Sequence, residues 1–445
     1  MSTTLQDAVP ANDQRRAEAP YTLDQAPPRA LGFLDQFSLW GNLGVSLTLP
    51  VLGPVLLPEG ASLAAAVAAV IVGALLGSLL LGLTAVPGAA LGAPAMVVFR
   101  GLLGAKLSYL PTGLNILQCI GWAVVEVVII ADVAASVSST SLRWLFIVLA
   151  GAAATALALF PLGFIKRLRR YAVVLVLAAS AYLFVQVLRH GVGSWSAGNW
   201  SGFWPSVDLV VGLAISWAPL ASDYSRHSRS KGAAFGGAFA GYTTGGSAYL
   251  LLGVFAFAAS GRASADITGS LLAGWVAALA LAVLAIDEVD EAFANVYSTA
   301  ISTQNIAPRA DRRVLAVAMG VVATAVALVL GADQLARYET FLYLIGAVFV
   351  PLSAVLVVAF FTQRTPWDIS VTARPRPWLL LPWALGFAVY QLIYPTAVSV
   401  WWTQRWTAAE AALHFTPQPW MSASLFAFAA AALATLALLP LTRRR

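Results

Sequence analysis

The 445-residue chain is 60% hydrophobic and only 10% charged, with a mean hydropathy of +0.80. A soluble domain of this length would need far more charge to cover its surface, so the net charge of +6 reports membrane topology and not nucleic-acid binding. The single cysteine, Cys119, lies in an apolar run, which excludes disulfides and a cysteine-based metal site.

Residues 1–30, rich in Asp, Gln, Ala, Pro and Arg, read as a disordered cytoplasmic tail. No small-residue cleavage site follows, so the first apolar segment is expected to stay. From residue 37 onward, apolar stretches of about 20 residues recur, each long enough to cross ~30 Å of hydrocarbon. They give about twelve spans, near 35–58, 62–84, 110–136, 143–163, 170–188, 207–226, 236–259, 269–304, 313–331, 338–361, 377–402 and 420–441. Two repeats of five spans, 31–190 and 200–361, are expected, followed by two additional helices and a basic tail over 377–445. With the N-terminus inside, 21 of the 26 Lys and Arg residues fall on the cytoplasmic side, as inserted proteins require. Both termini are therefore expected in the cytoplasm, on a multi-pass protein of the cell membrane.

The first span, FSLWGNLGVSLTLPVLGPVLL (37–57), carries Gly41, Asn42, Gly44, Pro50, Gly53 and Pro54. The third holds GWAVVE (121–126), which puts Trp122 and Glu126 four residues apart on one face. The sixth, VDLVVGLAISWAPLASDYSR (207–226), has Gly212, Pro219 and Asp223, with Trp217 beside its expected break. Asp223 beside Arg226 reads as a salt bridge or a helix-end anchor. Unwound backbone at membrane depth survives only inside protein or beside a wet cavity. Two interrupted spans five positions apart are the pattern of an inverted-repeat transporter whose site lies at the breaks. The expected fold class is thus all-α and polytopic, five-plus-five, with helices 1 and 6 broken. In the seventh span, GAAFGGAFAG (232–241) marks close helix packing.

The eighth span ends in DEVDEAFANVYSTA (287–300), with four carboxylates where membrane should continue. Each costs roughly 2.5–3.5 kcal/mol at the bilayer centre unless a cavity, proton or cation compensates. Asp287, Asp290, Glu291, Ala294, Asn295 and Ser298 share one helical face, with Ser302 continuing it, as the lining of an ion or substrate path would. Glu288 falls off that face and has no role from spacing. Trp122 and Trp217, facing each other across a cavity, could sandwich a flat heteroaromatic ring.

FSLWGNLG, the block PGAALGAPAMVVFRGLLGAKLSYLPTGLNILQCIGW (87–122), the SW of the sixth span and the ANV of the eighth resemble the nucleobase cation symporter-1 family of cytosine, purine, allantoin and hydantoin permeases. The resemblance implies cation-coupled uptake by alternating access, in the fold shared with the neurotransmitter-sodium symporters. It carries Trp122 and Trp217 onto the two aromatics that hold the substrate ring. Glu126 falls on a substrate-binding glutamine, Asn295 on a substrate-binding asparagine, and Ser216 precedes the second aromatic. The sodium site of such relatives would draw carbonyls here from Asn42, Val45 and Ile286, but its two hydroxyl positions are Val289 and Asp290. That departure leaves sodium and proton coupling both open, with Asp290 central to each. No other cofactor is implied, and the partners are a small nucleobase-like molecule, the coupling cation and the lipid bilayer, with the protein a monomer.

An ionised Glu126 only accepts hydrogen bonds, which favours a ring with adjacent N–H donors: cytosine, hydroxymethylpyrimidine or, next, a purine. Two competing classes were weighed. Asp287 and Asp290 also have the D-x-x-D spacing of intramembrane prenyltransferases, but no second acidic cluster exists in the sequence. An amino-acid permease of the same fold would need no paired tryptophans.

Overall fold

The structure is a computed structural model that describes residues 18–136, 138–167, 173–261, 274–330, 338–363 and 366–442. The first 17 residues of the expected tail, the terminal Arg443–Arg445 and the loop margins of spans five, eight and nine lie outside the described residues. Among the described residues the chain is helical throughout, apart from two isolated bridges, Leu31 with Ser228 and Ala61 with Asn199.

Helix 1 is in two pieces, α1 (Phe33–Asn42) and α2 (Gly53–Leu56), separated by a non-helical stretch and a 3₁₀ turn at Pro50–Leu52. Next come α3 (Leu63–Leu91), the short α4 (Ala95–Leu103), α5 (Tyr109–Ser136), α6 (Arg143–Leu159), α7 (Pro161–Arg167) and α8 (Val173–Arg189). Helix 6 is split into α9 (Phe203–Ser216) and α10 (Ala218–Ser225), with Trp217 at the junction and Pro219 opening the second piece. α11 (Lys231–Ala259) follows, and helix 8 is split into α12 (Trp275–Asp287) and α13 (Val289–Ile306). Then come α14 (Arg312–Val329), α15 (Tyr338–Thr362), α16 (Leu380–Ile393), α17 (Val400–Ala412) and α18 (Ala423–Thr442). Taken with the broken and shorter helices, this is the expected twelve-span, all-α membrane architecture. Seven helices are long and apolar enough to cross a membrane by themselves among the described residues.

The ends follow local chemistry. Ser62 and Ser230 cap α3 and α11 by accepting from Ala65 N–H (3.2 Å) and Ala233 N–H (3.0 Å), and α3 stops at Gly92 with φ +65°. The eleventh span ends at Ile393, earlier than the expected 402. Tyr394 precedes a proline and adopts φ −140°, ψ 88°, and the chain re-enters helix only as α17, which buries nothing.

The helices pack as two groups. α1, α3, α9, α10 and α11 form one, and α5, α6, α13 and α14 the other, while α15, α16 and α18 brace the first from outside. The glycines of α11 draw helix 1 onto it: a Cβ on Gly245 would lie 2.1 Å from the Gly41 carbonyl oxygen, and one on Gly237 would lie 2.3 Å from Gln36 Cβ. In the second group α6 and α14 cross reciprocally. A Cβ on Gly151 would sit 2.0 Å from Thr324 Oγ1, and one on Gly320 would sit 1.9 Å from Thr155 Oγ1.

Two expectations change at the periphery. Residues 18–30 do not form a loose tail: Glu18 accepts from Leu162 N–H (2.7 Å) and Gly163 N–H (2.9 Å) at the start of α7. The carbonyl of Tyr21 accepts from Arg312 N–H (2.9 Å) and Gln304 Nε2 (2.7 Å), and Leu31 is fully buried. A composition without apolar runs predicted disorder, yet backbone groups in this stretch find partners on helix ends. Asp208, in α9, is a further buried acid that apolar patterning concealed. It accepts from Ser422 Oγ (2.6 Å), Ala423 N–H (2.8 Å) and Ser424 N–H (3.0 Å), and so caps α18.

Candidate functional site

The breaks of helices 1 and 6 meet α5 and α13 at a small enclosed cavity. Its walls include Ser46 and Thr48 from helix 1, Trp122 from α5, Ser216 and Trp217 from the helix 6 break, Tyr242 from α11 and Glu291 from α13. The two tryptophans therefore line one space. In this state the cavity is about 10 Å³, roughly one water and far less than an aromatic ring, so its walls must part to admit one. Trp217 is held edge-on by Trp40 (centroids 6.2 Å apart, 84°), and Trp122 leans on Phe341 (5.6 Å, 58°). Phe341 and Trp40 were not singled out from sequence, because a membrane chain with 15 tryptophans and 21 phenylalanines offers no spacing signal for them.

Gln118 was also missed, although it lies four residues before Trp122 on the same face. Its Nε2 donates to the Ser216 carbonyl (2.9 Å) and to Asn115 Oδ1 (2.8 Å), so it holds the helix 6 break against α5. Ser216 Oγ turns back to the Leu213 carbonyl (2.6 Å). Asn295 Nδ2 donates to the Glu291 carbonyl (3.1 Å); the residue is buried but does not wall the cavity in this state.

The acidic stretch departs from the expected single stripe. The helix turns at Glu288 (φ −53°, ψ −21°), and two i, i+3 pairs one residue out of phase point to different neighbours. Asp287 and Asp290 meet helix 1, where Asn42 Nδ2 donates to Asp287 Oδ1 (3.0 Å) and Asp290 Oδ2 (2.7 Å). Glu288 and Glu291 meet Glu126 of α5, and carboxyl oxygens of the three lie within 4.8 Å of one another, fully or almost fully buried. Three carboxyl groups at this spacing need a shared proton or cation between them. Two ion pairs, Arg143–Asp132 and Arg313–Asp311, lie elsewhere. Helical geometry itself sets Glu288 and Glu291 about 100° around the axis from Asp287 and Asp290, so the face drawn through Asp287, Asp290 and Glu291 divides between two neighbours. Ser298 and Ser302 are fully buried; Ser302 Oγ accepts from Asn115 Nδ2 (2.9 Å).

At the four positions carried over for a sodium ion, the Asn42 carbonyl already accepts from Val45 N–H (2.8 Å), and the Ile286 side chain is 74% exposed on the outer surface of the helix. Asp290 Oδ1 and Asp287 Oδ2 are buried and accept no hydrogen bond, so hard oxygen ligands are on hand beside helix 1 even without the hydroxyl pair. Asp223 acts as a helix-end anchor: it accepts from Ala95 N–H (2.8 Å) at the start of α4, whereas Arg226 donates to His227 Nε2 (3.2 Å) and Tyr297 Oη (3.1 Å).

Toward the end of α13 the two helix groups are joined by polar contacts. Tyr224 Oη donates to the Ala294 carbonyl (3.0 Å), and Arg100, buried in α4, donates to Asn305 Oδ1 (2.6 Å) and the Asn305 carbonyl (2.8 Å).

A family model described as permease for cytosine/purines, uracil, thiamine, allantoin matches residues 26–368. Among solved structures, the chain is similar to Mhp1, a nucleobase-cation-symport-1 family transporter in a closed conformation with bromovinylhydantoin bound. Identity is 16% and the TM-score 0.76, over 96% of this chain and 95% of the other. The inward-facing conformation of Mhp1 gives a TM-score of 0.68 at 16% identity, over 96% and 93% of the two chains. A Na⁺-coupled sialic acid symporter in a substrate-bound outward-open state gives 0.63 at 11% identity, over 97% and 93%. No curated protein gives a significant sequence match. With three quarters of its length on the family model, and with the fold of a nucleobase-cation-symport-1 transporter over nearly its whole length, the chain belongs to the nucleobase cation symporter-1 family of membrane transporters and is not an enzyme.

Proposed function

We propose that the protein imports a nucleobase-type heteroaromatic, an aminopyrimidine such as cytosine or hydroxymethylpyrimidine or else a purine, by symport with Na⁺ or H⁺ across the cell membrane. The observation that supports this reading is the cavity whose walls include both Trp122 and Trp217, together with Ser216 at the helix 6 break. Indole faces take a base by stacking, worth ~1–3 kcal/mol each, and the surrounding polar groups read its edge. Ser46, Thr48, Ser216, Tyr242 and Glu291 are polar side chains already on the wall. Glu126 and Asn295 lie one layer behind it and reach the ring only when the walls part. Because Glu126 shares its surroundings with Glu288 and Glu291, its preference for N–H donors holds when a proton or cation satisfies the other two.

The coupling cation acts at Asp290, next to the carbonyls of Asn42, Val45 and Ile286, with Asp287, Glu291 and Ser298 hydrating its route. Both termini lie in the cytoplasm, and the monomer is the working unit. Uptake of radiolabelled cytosine into proteoliposomes, with sodium and proton gradients imposed separately and a panel of unlabelled bases as competitors, tests the reading. Competition by cytosine, hydroxymethylpyrimidine or adenine is expected, and competition by hydantoins or uracil alone would overturn the substrate class.

A further inference from the structure

Glu288 is the buried acid to which neither the substrate nor the cation reading gives a role. It stands at the turn between α12 and α13, in the same helix group as α5, α6 and α14, yet its carboxylate reaches across to helix 1. One oxygen accepts from Ser46 Oγ (2.7 Å) and the other from Leu47 N–H (2.8 Å). Helix 1 is unwound here, so its amides lack helical acceptors, and a buried amide left without one costs about 1–3 kcal/mol. The carboxylate therefore supplies what the unwound segment lacks. The grip is two-handed, because Ser46 in turn contacts Thr48 Oγ1 (2.7 Å), and Ser46 and Thr48 are both cavity walls. Two residues along in the chain, Asp290 holds Asn42, at the end of α1.

We propose that Glu288 is the positioning residue that ties the unwound segment of helix 1 to the turn of helix 8, so that the cavity wall at Ser46 and Thr48 and the Asn42–Asp290 contact move as one unit. Its side chain stands outside the cavity wall and apart from the Asn42–Asp290 contact; it makes displacement at one felt at the other. The proposal rests on the transport reading, since it names the part that keeps base and cation movement in step.

Glu288→Gln is the first test. It keeps the size of the side chain but turns a second N–H group toward the donors of Ser46 and Leu47, where glutamate offers only acceptors. Ser46→Ala removes one hand of the grip with little change in volume and covers the case in which the glutamine variant folds poorly. In the full-length protein, deuterium exchange of the peptide over 44–50 should rise about tenfold in rate in either variant, with the α3 and α11 amides unchanged. In proteoliposomes, exchange of labelled base across the membrane at equilibrium by Glu288→Gln should stay within about threefold of the parent, while gradient-driven accumulation falls by about tenfold or more. The double variant should lose no more than Glu288→Gln alone. Unchanged deuterium exchange at 44–50, or exchange and accumulation falling in parallel, overturns the proposal. If the parent protein moves no base under any gradient, the transport reading fails, and the deuterium measurement still decides the tether.

Discussion

Asn42 and Asp290, 248 residues apart in the chain, are joined by a 2.7 Å hydrogen bond from the asparagine carboxamide to the aspartate carboxylate. The bond spans the boundary between the two helix groups, at the end of α1 and two residues past the turn of helix 8. Replacing Asp290 with Asn leaves two carboxamides facing each other and removes the negative charge a cation would seek. Gradient-driven accumulation by Asp290→Asn or Asp290→Ala is expected to drop at least about tenfold, whereas base-dependent thermal protection of the detergent-solubilised protein persists. Undiminished accumulation would place coupling elsewhere.

Trp122 and Trp217 are expected to matter through affinity and not through coupling. Each indole removed by substitution with Ala should weaken base binding about 10- to 100-fold, the equivalent of ~1–3 kcal/mol of stacking. Equilibrium binding titrations of the two single variants check this, and a loss confined to Trp217 would mean that Trp122 serves packing against Phe341 alone.

Gly151→Ala should destabilise the protein by about 1–3 kcal/mol, since its new methyl would meet Thr324 Oγ1 at 2.0 Å. Thr324→Ala on its own removes a hydroxyl that bonds only to its own helix, at the Gly320 carbonyl (2.7 Å), and should be mild. The pair together should recover most of the lost melting temperature, because the alanine methyl then occupies the space the hydroxyl left.

Asp208→Ala strips the cap from α18 and leaves Ala423 N–H and Ser424 N–H buried without an acceptor. A cost of about 1–3 kcal/mol is expected, read as earlier proteolysis in the loop before residue 422 and a lower melting temperature. Asp208→Asn, which retains an acceptor oxygen, should fall between the parent and the alanine variant.

Orientation is testable because Cys119 is the only cysteine and is buried. In a Cys119→Ser background, a cysteine placed at exposed Ser230 should react with an impermeant maleimide only after the membrane is opened from the cytoplasmic side. One at exposed Ser196 should react in intact cells. The reverse pattern would invert the topology drawn from the basic residues.

The twelve spans, the breaks at Gly41–Pro54 and at Trp217–Pro219, and the shared cavity of Trp122 and Trp217 were legible because helix breakers and long apolar runs are unusual together. The acidic stretch of helix 8 was only half legible. Helical periodicity placed Asp287, Asp290 and Glu291 on one face, and nothing in a list of residues announces that Asn42 and Glu126 flank it and divide the carboxylates between them. Gln118 and Asp208 were hidden for a different reason: their partners, the Ser216 carbonyl and the amides of α18, are backbone groups far away in sequence. Such pairings are created by the fold itself. The ordered stretch from Glu18 to Leu31 escaped notice likewise, since helix ends, not apolar neighbours, hold it in place.

The crossing of α6 with α14 has a further consequence. Gly151 meets Thr324 just as Gly320 meets Thr155, each threonine one turn beyond the glycine of its own helix. These helices are fourth in their respective repeats, so swapping the two repeats turns this contact into itself. Alternating access is such a swap, with one half taking up the shape the other gives up. A contact that is its own image under that exchange weighs equally in both extremes. By that symmetry it lends no preference to either side of the membrane, so any bias between the two extremes falls to the asymmetric contacts at Asn42, Glu288 and Arg100, while the gradients set the direction of net movement.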